Sequence, residues 1–206
     1  MFYALPPATR WLLLANVALF LVESLSGASG LVSYLALWPL GTAGAVSFEP
    51  WQIVTYSFLH AGWGHLFVNM FALYMFGGEL ERVWGPRRFL LLYFASVVAA
   101  AISQLLFSSL SGAPPYPTVG ASGGIFGLLL AYAMYFPRRT IVLLIPPIPM
   151  PAWLFVTLYG LLELYLGITG TQEGVAHIAH LGGMLGAWLV ILYWRGRLPF
   201  GMRGRR

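Results

Sequence analysis

The chain has 206 residues, of which 59% are hydrophobic and only 8% charged, too few charges to cover a water-soluble domain of this size. The net charge of +5 is carried by eleven Arg against six Glu; Asp, Lys and Cys are absent. Those absences exclude a cysteine nucleophile, a Ser-Lys dyad, an Asp-supported triad, an aspartyl dyad, disulfides and thiolate metal centres.

Apolar runs near the ~20 residues that a bilayer-crossing helix needs recur along the chain. Hydropathy and the Pro/Gly breakers predict six of them. The first covers about 8–25, after Pro6-Pro7. No cleavage pattern follows it, so it reads as an uncleaved insertion signal. A long irregular stretch, 26–64, comes next, with Trp38-Pro39, Gly41, Gly44, Pro50 and Trp51 as breakers and interface residues. Its Leu31, Val32, Tyr34, Leu35, Leu37, Trp38 and Leu40 are apolar for a loop and predict a segment lying partly in the outer leaflet. The second span is about 65–80 and the third 89–110, where Ser103 and Gln104 are candidates for holding water at depth. A loop with Pro114-Pro115 and Pro117 leads to the fourth span, 122–136. The Pro-rich link 146–151 precedes the fifth, 152–168, which is a candidate side gate. The sixth is 175–194, and 195–206 is a basic tail. The fold class expected is all-α, a single polytopic membrane domain over 1–206.

The arginines orient this bundle. Arg82, Arg87 and Arg88 follow span two, Arg138 and Arg139 follow span four, and Arg195, Arg197, Arg203, Arg205 and Arg206 follow span six. Arg10 lies near the N-terminus, while the loops after spans one, three and five contain no Arg. By the positive-inside rule both termini are cytoplasmic. A tail that bound nucleic acid would not require this alternation, so no nucleic-acid partner is expected. Glu81 with Arg82, Arg87 and Arg88 reads as an inner-face salt-bridge cluster.

Three polar positions then fall at similar depth on the outer side. Ser122, in Gly120-Ala121-Ser122-Gly123-Gly124, opens span four; His65 opens span two; His180 is only ~8 Å below the start of span six at 1.5 Å per residue. Hydroxyls in membrane spans usually serve as helix glue, but imidazole has the pKa needed to activate a serine at neutral pH. The small-residue pairs Gly123/Gly127, Gly182/Gly186 and Gly183/Ala187 would let spans four and six pack closely. His65 and Asn69, four apart, share one helix face. With the Ser122 N–H at a helix N-terminus they offer donors for an oxyanion. Glu163 stands alone inside span five, facing a polar cavity or protonated. His60 precedes span two and is a candidate for shaping the cavity or holding water.

These motifs, Gly-Ala-Ser-Gly before a short span, His-x4-Asn in span two and Ala-His-Leu-Gly-Gly in span six, resemble the rhomboid intramembrane serine proteases. The likeness runs from Pro50-Trp51-Gln52 through Gly186 and includes Gly77-x3-Glu81-x3-Gly85. It implies a simple six-span bacterial form with a long outer loop after span one. It also implies a Ser122–His180 dyad, an acyl-enzyme, and oxyanion stabilisation by His65 and Asn69. His180, which precedes Gly183-x3-Ala187, is assigned as the base. His177, one turn nearer the surface, lines the approach to the site. Phe126 stands where some members carry a Tyr stacked on the imidazole. The implied substrates are single-span membrane proteins with small or helix-breaking residues near the cut, reached from the lipid bilayer of the cell (inner) membrane at a site opening outward. Four imidazoles could instead hold Zn²⁺ or Cu²⁺, but the HExxH pattern is absent, and neither metal nor cofactor is expected.

Overall fold

The computed structural model describes residues 4–26, 29–41, 46–111, 116–143, 146–170 and 175–197. Gly44, Pro114-Pro115 and the tail from 198, with Arg203, Arg205 and Arg206, lie outside the described residues.

Helix α1 (Pro7–Ser26) starts on a proline, whose fixed φ and missing N–H suit a first helical turn. The next two backbone N–H groups, of Ala8 and Thr9, donate to the Glu81 carboxylate at 2.9 and 2.7 Å, and the Thr9 hydroxyl adds a third bond at 2.8 Å. Anionic oxygens are favoured at a helix N-terminus, where N–H groups lack intrahelical partners. The grouping of Glu81 with Arg82, Arg87 and Arg88 is therefore corrected. Glu81 is buried and committed to backbone donors, and it is Glu79 that pairs, with Arg139. Glu81→Ala would leave those donors without their acceptor, at a cost of about 1–3 kcal/mol. A lower unfolding midpoint in detergent is expected, and an unchanged midpoint would contradict the capping account.

The stretch 26–64 is, in its described residues, more regular than its breakers suggest. It contains α2 (Ser29–Leu35), α3 (Gln52–Thr55) and a 3-10 turn, Tyr56–Phe58. Side chains tie it together: Gln52, fully buried, accepts from the Trp38 N–H at 3.2 Å and donates to the Tyr34 carbonyl at 3.3 Å. The Trp51 indole donates to the same carbonyl, and the Trp38 indole to that of Val32. Leu37 and Thr118 exchange two backbone hydrogen bonds, which fasten this segment to the one leading into Ser122.

Helix α4 (Trp63–Ala72) continues through a wide turn, Leu73–Gly77, into α5 (Gly78–Ser111). The run breaks at Gly85, with φ 77° and ψ 165°, and Pro86 follows. That left-handed φ is tolerated by glycine. The predicted spans 65–80 and 89–110 thus meet at one non-helical residue. Helix α6 (Ser122–Tyr135) ends before Pro137, as residues preceding proline leave the helical region. The link after it is not wholly irregular: β1 (Thr140–Val142) and β2 (Pro149–Pro151) pair antiparallel, a small exception to the all-helical expectation. Helix α7 (Ala152–Thr169) stops at Gly170, and α8 (His177–Trp194) completes the set. Among the described residues, four stretches are long and apolar enough to cross a membrane: Pro7–Leu25, Trp63–Ser111, Ala152–Thr169 and His177–Trp194. Ser122–Tyr135 is apolar but shorter.

Helix α6 is the most enclosed, with α5 and α8 against it. A Cβ on Gly183 would sit 1.9 Å from the Gly123 carbonyl oxygen, so α6 and α8 touch backbone to backbone. Gly182 and Gly186 do not face α6. Their missing Cβ atoms make room for α5, where they would lie 2.9 Å from the carbonyls of Ala99 and Ala95. The two small-residue rows of α8 thus serve two neighbours. Helix α7 is peripheral; only Ala152, Val156 and Glu163 are buried along it.

Candidate active site

The site forms where the starts of α4, α6 and α8 meet. Gly120, at φ +128°, turns the chain into α6, and its N–H donates to the Tyr56 carbonyl at 3.0 Å. A Cβ there would come within 2.8–2.9 Å of the His65 ring, so only glycine fits between the turn and that imidazole. Two residues on, Ser122 Oγ lies 2.8 Å from His180 Nε2. The contact follows from the Gly123–Gly183 approach one residue from Ser122. Phe126, one turn along α6, stacks on His180 with centroids 4.2 Å apart and planes 8° from parallel.

The far edge of the imidazole is also engaged. His180 Nδ1 lies 2.8 Å from Glu163 Oε2, and His177 Nδ1 lies 2.7 Å from the same oxygen. All three residues are buried. Glu163, expected to face a polar cavity or to be protonated, has two histidines as its polar partners. His177 belongs to this cluster and is absent from the cavity wall. Sequence reasoning missed the link because residues 14 and 17 positions apart on different helices leave no spacing signal. The available hint was one carboxylate inside an otherwise apolar span, where ionisable groups are functional candidates.

His65 Nδ1 accepts the Ala61 N–H at 3.3 Å, which leaves Nε2 to carry the proton on the edge beside Gly120. Asn69, one turn later, donates to the His65 carbonyl at 2.8 Å and keeps a second amide hydrogen. A cavity of about 500 Å³ is lined by His65, Asn69, Ser122, Phe126, Tyr159 and His180 among others. His60 stands behind His65, edge-on, with centroids 5.1 Å apart. Burial first, then the neighbouring His65, push the His60 imidazole down to about 4. It is therefore neutral near pH 7 and adds no positive charge. Ser103 packs against Gly182 in the α5–α8 seam. Gln104 donates to the Tyr116 hydroxyl at 3.3 Å, and Tyr116 itself borders the cavity.

Glu163, His177 and His180 present ligand atoms within 4.8 Å of one another. A tetrahedral zinc with bonds near 2.0–2.1 Å would hold its nitrogen and oxygen ligands about 3.3 Å apart. The observed 2.7 and 2.8 Å are hydrogen-bond lengths, so the cluster would have to open to admit an ion.

Fold and site together define a multi-pass helical membrane protein with a serine–histidine pair beside a cavity. The chain belongs to the rhomboid family: the Rhomboid domain profile matches residues 47–197. It is 29% identical over 171 residues to Rhomboid protease GluP of Bacillus subtilis (strain 168), covering 82% of this chain and 31% of that protein. It is 34% identical over 135 residues to Putative rhomboid protease YdcA of the same organism, covering 64% and 63%. With Rhomboid-like protein 11, chloroplastic, of Arabidopsis thaliana it shares 31% identity over 196 residues, covering 89% and 63%. The chain thus spans from about a third to just under two thirds of the length of these relatives.

Proposed function

We propose that the chain is an intramembrane serine endopeptidase that cuts membrane-protein substrates in or near their transmembrane segments. The observation that carries this reading is the 2.8 Å contact between Ser122 Oγ and His180 Nε2 at the cavity. Ser122 Oγ attacks the substrate carbonyl carbon while its proton passes to His180 Nε2, and the carbonyl electron pair moves onto oxygen. The Ser122 N–H, the His65 Nε2–H and the Asn69 amide are the donors for that oxyanion; one such donor is typically worth about 10²–10³ in rate. Collapse expels the amine, which takes the proton from His180 and leaves an acyl-enzyme. Water then repeats the cycle and frees the serine.

Six crossings account best for the helix lengths. The 49-residue run Trp63–Ser111 would be about 74 Å long at 1.5 Å per residue, against a hydrocarbon core near 30 Å. It is read as two crossings that turn at Gly85. Helix α6, at 14 residues, is only about 21 Å long, so Ser122 at its start sits below the membrane surface. That depth suits a nucleophile for transmembrane segments, reached by water from the outer face. Both termini are read as cytoplasmic from the Arg-bearing connections, and the site as opening toward the outer side of the cell (inner) membrane. Single-span proteins are the simplest substrates, entering laterally and unwinding locally so that the scissile carbonyl is exposed. The segment 26–64 forms the outer loop.

A fluorophosphonate reagent tests the reading directly in detergent-solubilised protein. Labelling is expected in the unaltered chain and should disappear in both Ser122→Ala and His180→Ala. Equal labelling in His180→Ala would remove His180 as the base.

A further inference from the structure

We infer that Glu163 is a positioning residue that completes a Ser122–His180–Glu163 relay, with His177 as a second donor that holds the carboxylate in place. The inference rests on the Ser122–His180 reading and extends it to a third helix. Glu163 belongs to α7, His180 to α8 and Ser122 to α6, so the relay spans three separate helices.

An ionised carboxylate can only accept hydrogen bonds. With Glu163 Oε2 at 2.8 Å, the ring proton of neutral His180 is fixed on Nδ1, and Nε2 keeps its lone pair toward Ser122 Oγ. That is the tautomer a general base needs. His177 places its own Nδ1–H on the same oxygen at 2.7 Å, so Oε2 accepts two hydrogen bonds. Phe126 stacks on the face of His180 but offers no polar atom. Glu163 is therefore the group that sets which nitrogen carries the proton. The carboxylate also changes the energetics of the step. When Ser122 gives its proton to Nε2, an imidazolium forms in a buried site, where an isolated cation is strongly disfavoured. Glu163 lies against it with opposite charge, in surroundings where water screens little. No proton needs to reach the carboxylate; the pair stays imidazolium–carboxylate until the leaving amine is protonated.

The chain has no Asp, and Glu163 supplies the carboxylate from a span chosen by geometry instead of by sequence proximity. Helix α7 buries only two other residues, Ala152 and Val156. A buried charge on so exposed a helix would be costly without partners, and the two histidines are those partners.

The test uses the full-length protein in detergent with a synthetic transmembrane-peptide substrate. Glu163→Gln keeps the shape and an acceptor but removes the charge. It is expected to lower kcat by about 10²- to 10⁴-fold, the range general-base support commonly provides, with KM within about threefold of the unaltered enzyme. A kcat within threefold would overturn the inference and leave the dyad standing. A loss carried by KM would assign Glu163 to substrate access and overturn it equally. Should Glu163→Gln fail to fold, ¹⁵N NMR of histidine-labelled unaltered protein decides: His180 is expected to be protonated at Nδ1 and bare at Nε2 at neutral pH. The opposite tautomer would overturn the relay. Persisting cleavage in Ser122→Ala is a separate result, because it removes the dyad itself.

Discussion

Ser122→Ala is expected to reduce cleavage of a transmembrane substrate by about 10⁴- to 10⁶-fold, the scale on which serine hydrolases fail when the nucleophile is removed. The change deletes one oxygen and nothing that the fold depends on. The close approach of α6 and α8 is made by Gly123 and Gly183, and alanine is the best helix former at the position it would occupy. Among the described residues Ser122 Oγ has one hydrogen-bond partner, His180, and His180 retains Glu163 and the Phe126 stack. The variant should therefore elute and melt like the parent protein while losing both cleavage and fluorophosphonate labelling. Residual turnover within tenfold of the parent would mean that another group attacks, and the assignment of Ser122 would be abandoned.

Gly183→Ala is expected to be the most damaging single methyl group added at any of the described glycines. The added carbon would stand 1.9 Å from the Gly123 carbonyl oxygen, where ordinary contact needs more than 3 Å. Backbone faces backbone, so no side chain can swing away, and α6 and α8 must separate by about 1 Å. Overpacking of this kind costs about 1–3 kcal/mol or more. It also lengthens the 2.8 Å Ser122–His180 contact, and misplacement by about 1 Å can cost 10²-fold in rate. Gly160→Ala is the control, since its Cβ would meet only the flexible end of Met184 at 3.5 Å. Thermal unfolding and cleavage should both separate the two variants. Equal behaviour would show that the helices give way more easily than their contact suggests.

The helices were easier to read in the sequence than the joints between them. Runs such as 152–168 and 175–194 carry their own signal in length and apolarity, and the boundaries of α7 and α8 fall within two residues of those limits. The described parts of 26–64 are held by side chains meeting backbone, Gln52 to Tyr34 and Thr55 to Leu35, which the breakers in the sequence do not announce. Such bonds leave no periodic trace. The partners of Glu81 are hidden for a related reason. Three arginines follow within seven residues, yet the carboxylate's partners lie more than seventy positions away on α1. Glycine spacing on α8 suggested close packing but could not say which neighbour each glycine faced. Glu163 could be noticed as odd, but its pairing with His177 and His180 depends on how α7 lies against α8.

The capping of α1 by Glu81 bears on where the protein can be cut. The matched family segment starts at residue 47, which invites a shortened version lacking the first helix. Removing residues 4–26 would strip Glu81 of all three of its donors and leave the carboxylate without a partner. A buried charge deprived of its partner is typically destabilising by about 3–5 kcal/mol. The first helix thus supports the site-bearing helices at a distance, and a trimmed preparation that lost activity would say little about the catalytic residues.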